Sequence, residues 1–320
     1  MQFRRFLSGV ITLVILLAPF TLLWQRQNIT DWWTLRSYTP PQQIAQLATD
    51  TTMNDLGKKI FYVEHPALQA KADFQQSCTL TEKTIVLGCY KSASGIFVYD
   101  VNDPRLDGVQ QVTAAHEMLH AAYDRLSSTE KKRIDTLTEQ AYAQLKDQRI
   151  KDNVEAYRSQ DATVVPNELH SILGTEVAKL PAELEAHYAL YFTNRQKIVT
   201  YSVQYETEFS KRSQQVATYD KLLESLRSQY DKLKTSIDSQ EQAIRTIDAQ
   251  LDAYKAQNDF ENYNAAIPGR NRLVSKYKAD IVAVNSLADQ YKNILDKRNA
   301  IAVEEQQLLQ ALDSRVSNTR

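Results

Sequence analysis

The sequence feature that most constrains the fold is the stretch from Arg195 to Ile267, which contains neither glycine nor proline. It is rich in Lys, Glu, Gln and Asp, and its apolar residues recur mostly three or four positions apart. Such spacing puts the apolar side chains on one face of a helix and is typical of coiled coils. With only 7 Gly and 8 Pro in 320 residues, the whole chain is predicted to be mostly helical.

A second apolar series, from Leu273 to Val316, has the same spacing and follows the pair Pro268-Gly269. We therefore predict an antiparallel coiled-coil hairpin over residues 195–320, with its turn near residues 265–271. The first arm is longer than the second, so its first residues, near 195–218, are expected to pack against the rest of the chain or a second copy. The hairpin is also a candidate surface for a protein partner.

The N-terminal segment from Phe6 to Trp24 carries no charged residue. A helix of this length covers about 29 Å, close to the hydrocarbon thickness of a bilayer. A cleaved signal peptide usually ends in small residues at an A-x-A-like site, and this segment has no such site. We therefore predict an uncleaved transmembrane anchor at residues 6–24, which makes the lipid bilayer one partner of the chain.

Charged and aromatic residues beside this segment predict its orientation. Arg4 and Arg5 precede it, which favours a cytoplasmic tip at residues 1–5 and an extracytoplasmic location for the rest of the chain. Residues 25–40 are expected to form a juxtamembrane linker. The tryptophans near the outer end of the segment are of the type found at membrane interfaces, and they are Trp24, Trp32 and Trp33.

The charge balance and the cysteines narrow the partners and the compartment. The chain has 38 Lys plus Arg and 39 Asp plus Glu, which gives a net charge of −1. Because no general positive field surrounds the protein, we predict no nucleic-acid partner. The two cysteines, Cys78 and Cys89, are expected to form a disulfide if the body of the protein lies outside the cytoplasm.

Residues 41–194 are predicted to form a small α+β domain between the anchor and the hairpin. β-Branched and aromatic runs predict three strands, the last two as a hairpin, and these are Lys59–Val63, Thr84–Tyr90 and Gly95–Asp100. Helices are predicted at Gln42–Thr49, at Val109–Leu126, from the capping box at Ser127 to about Ile150, and after Pro166 and Pro181.

The motif His116-Glu117-Met118-Leu119-His120 lies within one of these predicted helices. Residues four apart in a helix share a face, so His116 and His120 can bind one metal ion. Neutral imidazoles are ligands that Zn²⁺ prefers, and Glu117 is placed to take a proton from a water whose pKa the metal lowers. With 5 His in the chain, this spacing arises by chance less than about once in a hundred sequences. The motif predicts a zinc hydrolase with Glu117 as its catalytic base.

The segment from His116 to Glu176 resembles the gluzincin family of zinc metallopeptidases, to which thermolysin belongs. In that family an HExxH helix is followed by a second helix that supplies a glutamate from an Asn-Glu pair, and this chain has Asn167-Glu168. The resemblance implies a zincin-like domain with one Zn²⁺ per chain, bound by His116, His120 and Glu168.

The chain departs from the family pattern after Ser171. An acidic residue near that position in the family braces a ligand histidine, whereas this chain has Ile172. Glu176 therefore remains an alternative third ligand, and His170 is a further one. The metzincin family is excluded because it needs a histidine where Leu126 stands.

A catalytic donor to the developing oxyanion is also expected, because zinc peptidases of this kind use Tyr or His for it. The candidates follow the predicted ligand helix, and they are Tyr188, Tyr191 and His187.

The expected function is that of a membrane-anchored zinc metallopeptidase on the extracytoplasmic side, with an extended peptide adding beside the strand Ile96–Asp100. The substrate is a peptide or protein, and a peptidoglycan cross-link of the cell envelope is a second substrate class. The alternative is a membrane-bound coiled-coil scaffold or activator with a structural or vestigial metal site. Glu117 favours the enzyme, because a structural zinc site has no use for a carboxylate that is not a ligand.

Overall fold

The computed structural model describes residues 26–78, 86–92 and 94–315. The predicted anchor at residues 6–24, the tip at residues 1–5 and the beginning of the predicted strand Thr84–Tyr90 lie outside these ranges. Within them, no helix combines the length and the apolar character needed to cross a bilayer. Residues 26–35, in the predicted linker, are helical.

The rest of the described chain is mostly helical, with one small sheet. Ten helices follow residues 26–35 in the described ranges, and they are α1 (Gln42–Asp50), α2 (Asp55–Val63), α3 (Lys71–Ser77), α4 (Val109–Asp124), α5 (Ser128–Gln144), α6 (Gln148–Gln160), α7 (Val165–Glu176), α8 (Ala182–Tyr188), α9 (Arg195–Ala256) and α10 (Phe260–Leu312). The strands are β1 (Ala67–Gln69), β2 (Gly88–Lys91) and β3 (Gly95–Tyr99), and a short 3₁₀ helix covers Pro104–Leu106.

The three strands form a sheet in the order β1-β3-β2. β2 and β3 are an antiparallel hairpin in which Cys89 lies opposite Phe97, which confirms the predicted hairpin. β1 pairs with β3 in parallel, so β3 is the central strand. The expectation that a peptide adds beside Ile96–Asp100 is therefore wrong, because both edges of β3 are already paired.

The predicted strand Lys59–Val63 is wrong as well, because these residues lie in helix α2. Asn54 caps that helix by accepting a hydrogen bond from the Gly57 amide. Ile60 and Phe61 are buried on the side that faces the core. The cap and the helical spacing of the buried residues outweigh the strand propensity of the β-branched and aromatic side chains.

The boundary after α5 also differs from the prediction. Ser127 accepts a hydrogen bond from the Glu130 amide, which confirms the capping interaction. The helix ends at Gln144, however, and Asp147 caps a separate helix α6 by accepting from the amides of Arg149 and Ile150. An aspartate in this position begins a new helix because its carboxylate satisfies two amides that have no partner within the first turn.

The described chain divides into two compact units, with residues up to 207 and from 308 in the first and residues 208–307 in the second. The core of the first unit lies between the sheet, α1, α2, α4 and α7. The first turns of α9 belong to this unit, where the backbone of Tyr201 lies against Gly108 and Arg195 binds Glu185. The expectation that the beginning of the first arm packs on the rest of the chain is confirmed for these residues.

The second unit contains most of the two long helices. They are antiparallel, because the side-chain contacts between them join residues at similar distances from residue 259, and these contacts are Arg212–Glu304, Asp220–Arg298, Gln240–Asp280 and Asp248–Arg270. The turn predicted near residues 265–271 is therefore wrong, and the chain reverses at residues 257–259. Asn258 adopts a left-handed conformation with φ 59°, and the Asp259 carboxylate accepts a hydrogen bond from the Asn262 amide. Pro268 lies inside α10.

Candidate metal centre

Helices α4 and α7 bring the three predicted ligands together. α4 begins after Gly108, which has φ 99° and lies against the backbone of Tyr201, so glycine suits this position best. α7 begins at Val165 with Pro166 in its first turn, and Glu168 lies in the same turn. The two helices are in extensive contact, and His116, His120 and Glu168 face one another between them.

The donor atoms of these three side chains converge on one point. The Nε2 atoms of His116 and His120 each lie 3.6 Å from a different oxygen of Glu168. One ligand atom from each residue lies within 4.8 Å of the others. Ligand atoms bound to a tetrahedral zinc ion at 2.0–2.1 Å lie about 3.3 Å from one another. The arrangement therefore fits zinc with small side-chain adjustments.

A hydrogen bond fixes the orientation of the His120 ring. Its Nδ1 lies 2.9 Å from Oδ1 of Asn167 and 3.2 Å from Oγ of Ser171. Because an amide oxygen only accepts, Nδ1 of His120 donates in this contact, and Nε2 is the ring nitrogen that faces Glu168. Asn167 thus takes the place of the acidic brace that the sequence lacks at Ile172.

Glu168 has the electrostatic character of a metal ligand. Burial raises the pKa of its carboxyl, but the adjacent His120 and His116 outweigh burial and hold that pKa below its usual range. The group is therefore ionised at neutral pH. Its Oε2 is buried and has no hydrogen-bond partner among the described residues. A buried carboxylate oxygen without a partner is unfavourable unless a cation binds it.

Glu117 lies beside the three ligands and is 5% exposed. The backbone of β2 passes directly over its side chain at Gly88, where a Cβ atom would lie 2.7 Å from Oε1 of Glu117 and 2.5 Å from Cγ2 of Thr113. Glycine is required here because any side chain would displace the glutamate. The close approach places the carboxylate of Glu117 under the edge strand of the sheet.

These residues line a cleft of about 610 Å³ between β2, α4, α6 and α7. In the described part of the sheet, β2 pairs only with β3, so its other edge faces the cleft. The opposite wall includes Arg149, Asn153 and Tyr157, which recur every four residues on α6. These three residues were not predicted from the sequence. The recurrence of polar side chains at helical spacing was the available signal, but it also describes any solvated helix face.

The alternative ligands lie elsewhere. Glu176 lines the far part of the cleft, where its Oε2 lies 2.7 Å from Nη2 of Arg149, and it is not part of the three-residue group. His170 is completely buried, and its Nε2 lies 2.8 Å from Nε2 of His187. Burial lowers the pKa of His170 well below its usual value, so the ring is neutral.

The predicted oxyanion donors are not in the cleft. Tyr188, Tyr191 and His187 are buried in the core behind α7, and the Tyr188 hydroxyl donates to the His170 carbonyl at 2.7 Å. Burial raises the pKa of Tyr191 to about 12 and lowers the pKa of His187 to about 4. The expectation for these three side chains is therefore wrong. Their helical spacing reflects packing in the core.

Cys78 and Cys89 form the predicted disulfide. It joins the end of α3 to β2, the strand that borders the cleft. Both cysteines line the cleft. Closing a short loop in this way stabilises a domain by about 2–3 kcal/mol. Here the bond also restrains the strand that covers Glu117.

Comparisons with known proteins identify no relative. No protein-family model matches the chain, and no curated protein or solved structure is significantly similar to it.

Proposed function

We propose that this protein is a membrane-anchored zinc metallopeptidase that hydrolyses peptide bonds on the extracytoplasmic side. The observation that carries the proposal is the convergence of His116, His120 and Glu168 beside the buried carboxylate of Glu117. Two imidazoles and one carboxylate leave a fourth position of a tetrahedral zinc ion open, as catalytic zinc sites require. A structural zinc site normally has four protein ligands.

The residues of the cleft take distinct roles in this proposal. When bound, zinc lowers the pKa of water and polarises a peptide carbonyl. Glu117 accepts the proton of the attacking water and delivers it to the leaving amine. Gly88 and its neighbours in β2 bind the substrate backbone along the edge of the strand that faces the cleft and pairs with no described strand, because an extended peptide can add to such an edge. This assignment replaces the predicted binding beside β3.

Two observations support the extracytoplasmic location. The Cys78–Cys89 disulfide is of the kind that persists in oxidising compartments. The uncharged run from Phe6 to Trp24 precedes the described domain and follows two arginines. A single outward-facing domain behind an anchor of this orientation is consistent with both.

As a second candidate function, the protein is a scaffold with a structural metal ion. The long helical hairpin favours this function. Helices α9 and α10 have 62 and 53 residues, far more than a small peptidase domain needs. The three-ligand site favours hydrolysis, because a scaffold does not need Glu117 beside an open metal position.

The test combines metal analysis with cleavage of peptide libraries by the full-length protein in detergent. We expect one zinc per chain in both the native protein and Glu117→Gln. Cleavage should fall about 10²- to 10⁴-fold in Glu117→Gln, because only the proton transfer is lost. Glu183→Gln is the matched control, since Glu183 is an exposed acid on α8. If both proteins bind one zinc per chain and cleave at the same rate, or if neither cleaves any peptide, the result contradicts the proposal and favours the scaffold.

A further inference from the structure

A second concavity lies next to the catalytic cleft. This groove has a volume of about 790 Å³ and meets the cleft at Tyr90, Ser92 and Asp124, which line both. One of its walls is the helix of residues 26–35, through Gln27 and Thr30. A substrate polypeptide bound along the cleft-facing edge of β2 therefore enters this groove beyond Lys91. The helix of residues 26–35, which comes directly after the predicted anchor, bounds the groove.

A partly buried ion network, centred on the buried Asp31, attaches this helix to the end of α4. Asp31 has a side chain that is 4% exposed, and its two oxygens accept from Nη1 of Arg125 at 2.9 and 3.1 Å. Arg125 also donates to Glu64 at 3.0 Å, and Lys59 lies 3.2 Å from Asp31. Arg125 directly follows α4, the helix that carries His116 and His120. Because the Asp31 carboxylate is buried, removing its Arg125 partner is unfavourable, so this network holds helix 26–35 against the end of α4.

The outward face of the same helix has the character of a membrane interface. Trp32 and Trp33 are 57% and 61% exposed, and the neighbouring Ile29 is exposed as well. The Arg36 guanidinium lies 5.6 and 5.7 Å from the centroids of the two indole rings. Exposed indoles beside a cation suit the headgroup region of a bilayer. The predicted anchor, the uncharged run that ends at Trp24, comes directly before this helix in the sequence. The bilayer surface is therefore expected beside the helix.

We propose that the substrate is a polypeptide anchored in the same bilayer, whose membrane-proximal stalk lies in the groove beside helix 26–35 while its scissile bond reaches the metal centre. This inference rests on the proposed peptidase function and specifies its substrate class. The bilayer surface holds the indole face of the helix, and the groove guides the stalk from the headgroups to the cleft-facing edge of β2.

The dimensions of the fold limit where such a substrate is cut. In the proposed arrangement α4 extends away from the bilayer, with Arg125 nearer to it than His116. Between these two residues α4 rises about 14 Å, and the thickness of helix 26–35 adds about 10 Å. An extended chain covers about 3.3 Å per residue, so the scissile bond must stand about seven or more residues from the bilayer. Substrates with longer stalks should be cleaved more slowly, because the effective concentration of the cleavage site at the metal centre falls with linker length.

The experiment uses the full-length protein in liposomes with one cleavable sequence attached to a lipid-anchored peptide through linkers of about 4, 8, 20 and 40 residues. We expect the fastest cleavage with the linker of about 8 residues, several-fold slower cleavage at about 40, and very little at about 4. The same sequence as a soluble peptide measures the intrinsic activity. An equal rate for all linkers of about 8 residues or more, with a normal rate for the soluble peptide, overturns the inference and leaves the peptidase function intact.

A blocking variant tests the groove itself. Gln27→Trp fills the groove, and Gln43→Trp puts the same side chain on an exposed position of α1 as the control. Gln27→Trp should slow cleavage of the lipid-anchored substrate at least about five-fold and leave the soluble peptide unchanged, whereas Gln43→Trp should affect neither. Equal slowing of both substrates, or of neither, by Gln27→Trp contradicts the proposed stalk position.

Photocrosslinking gives a readout that does not depend on turnover. In the Glu117→Gln variant, a photoreactive residue in the stalk of the anchored substrate should attach to residues 26–30 and to the strand end near Ser92 and Ser94. Crosslinks confined to other surfaces overturn the groove assignment. Absence of cleavage in every substrate format by the native protein removes the peptidase function, and this inference with it.

Discussion

The two compact units of this chain differ in how much a single side chain contributes to stability and binding. In the first unit, the residues of the candidate metal site and their hydrogen-bonding partners are buried or partly buried, and single side chains contact several elements. In the second unit, most residues of the two long helices are exposed, and only a few apolar side chains are buried, including Leu226, Ile237 and Leu251. The contrast indicates that single substitutions in the first unit affect binding and stability strongly, whereas the second unit tolerates them.

The largest effect is expected at Glu168, the third ligand of the proposed zinc site. Glu168→Ala should weaken zinc binding more than about 100-fold, or about 3–4 kcal/mol, because one of three protein ligands is lost. Glu176→Ala is the matched control on the same helix, eight residues further along, and should retain zinc. Zinc affinity is measured by competition with a chelator. Loss of zinc in Glu176→Ala with retention in Glu168→Ala reverses the assignment of the third ligand.

The grouping of His116, His120 and Glu168 could be predicted from the sequence because helical spacing and an Asn-Glu pair are local features. Asn167 as the brace of His120 depends on how α7 packs on α4, and sequence spacing does not contain that information. Tyr188 and Tyr191 were misassigned because aromatic residues at helical spacing look alike in a core and in a cleft. Whether a helix face meets water or another helix is decided by tertiary packing.

The errors in the fold have a similar origin. Lys59–Val63 has strand propensity, but the cap at Asn54 and the burial of Ile60 and Phe61 favour a helix. Pro268 was interpreted as a helix break, yet it is exposed in α10 and removes only one backbone donor. The turn is made by Asn258 and Asp259, residues that favour a left-handed conformation and a helix cap. The antiparallel hairpin itself was predicted, because two apolar series of the same period on either side of a break give this pairing wherever the break lies.

A pH-dependent loss of stability should arise in the first unit. Burial, with the nearby Arg133, lowers the pKa of His187 to about 4 from an ordinary value of 6.5. The unfolded chain takes up a proton as pH falls through about 6.5, while the folded chain stays neutral at this site until about pH 4. The contribution of His187 to stability is therefore complete above about pH 6.5 and falls by about 3 kcal/mol between about pH 6.5 and pH 4.

Urea unfolding of the metal-free protein at several pH values measures this loss. His187→Gln should flatten the dependence, and His65→Gln, at an exposed loop residue, should not. Residues 208–307 contain no histidine, so the second unit contributes nothing to the difference between these variants. An unchanged pH profile in His187→Gln contradicts the assignment.

Two arginines compare a buried and an exposed ion pair. The Arg195 side chain is 4% exposed, binds Glu185 and donates to the Val177 carbonyl at 2.7 Å. Arg195→Ala should destabilise the protein by about 2–3 kcal/mol, because the backbone carbonyls lose a charged donor. Arg245 pairs with Glu241 one turn away and is 77% exposed, so Arg245→Ala should change stability by less than about 0.5 kcal/mol. Thermal unfolding of both variants measures the difference, and equal effects contradict the contrast between the units.

Two glycines give the smallest and most direct comparison, because the same substitution should have opposite signs in the two units. At Gly174 in α7, a Cβ atom would lie 2.5 Å from Cδ1 of Leu119 and 2.8 Å from the Tyr188 ring, so Gly174→Ala should destabilise by about 1–2 kcal/mol through overpacking. At Gly269 in α10, nothing lies within 4 Å, and Gly269→Ala should stabilise the helix by up to about 1 kcal/mol. Denaturant unfolding followed by circular dichroism measures both changes. Destabilisation by Gly269→Ala would mean that the backbone after Pro268 is not helical. Unchanged stability in Gly174→Ala would mean that α7 can move away from α4. Such a movement would take Glu168 out of reach of the two histidines.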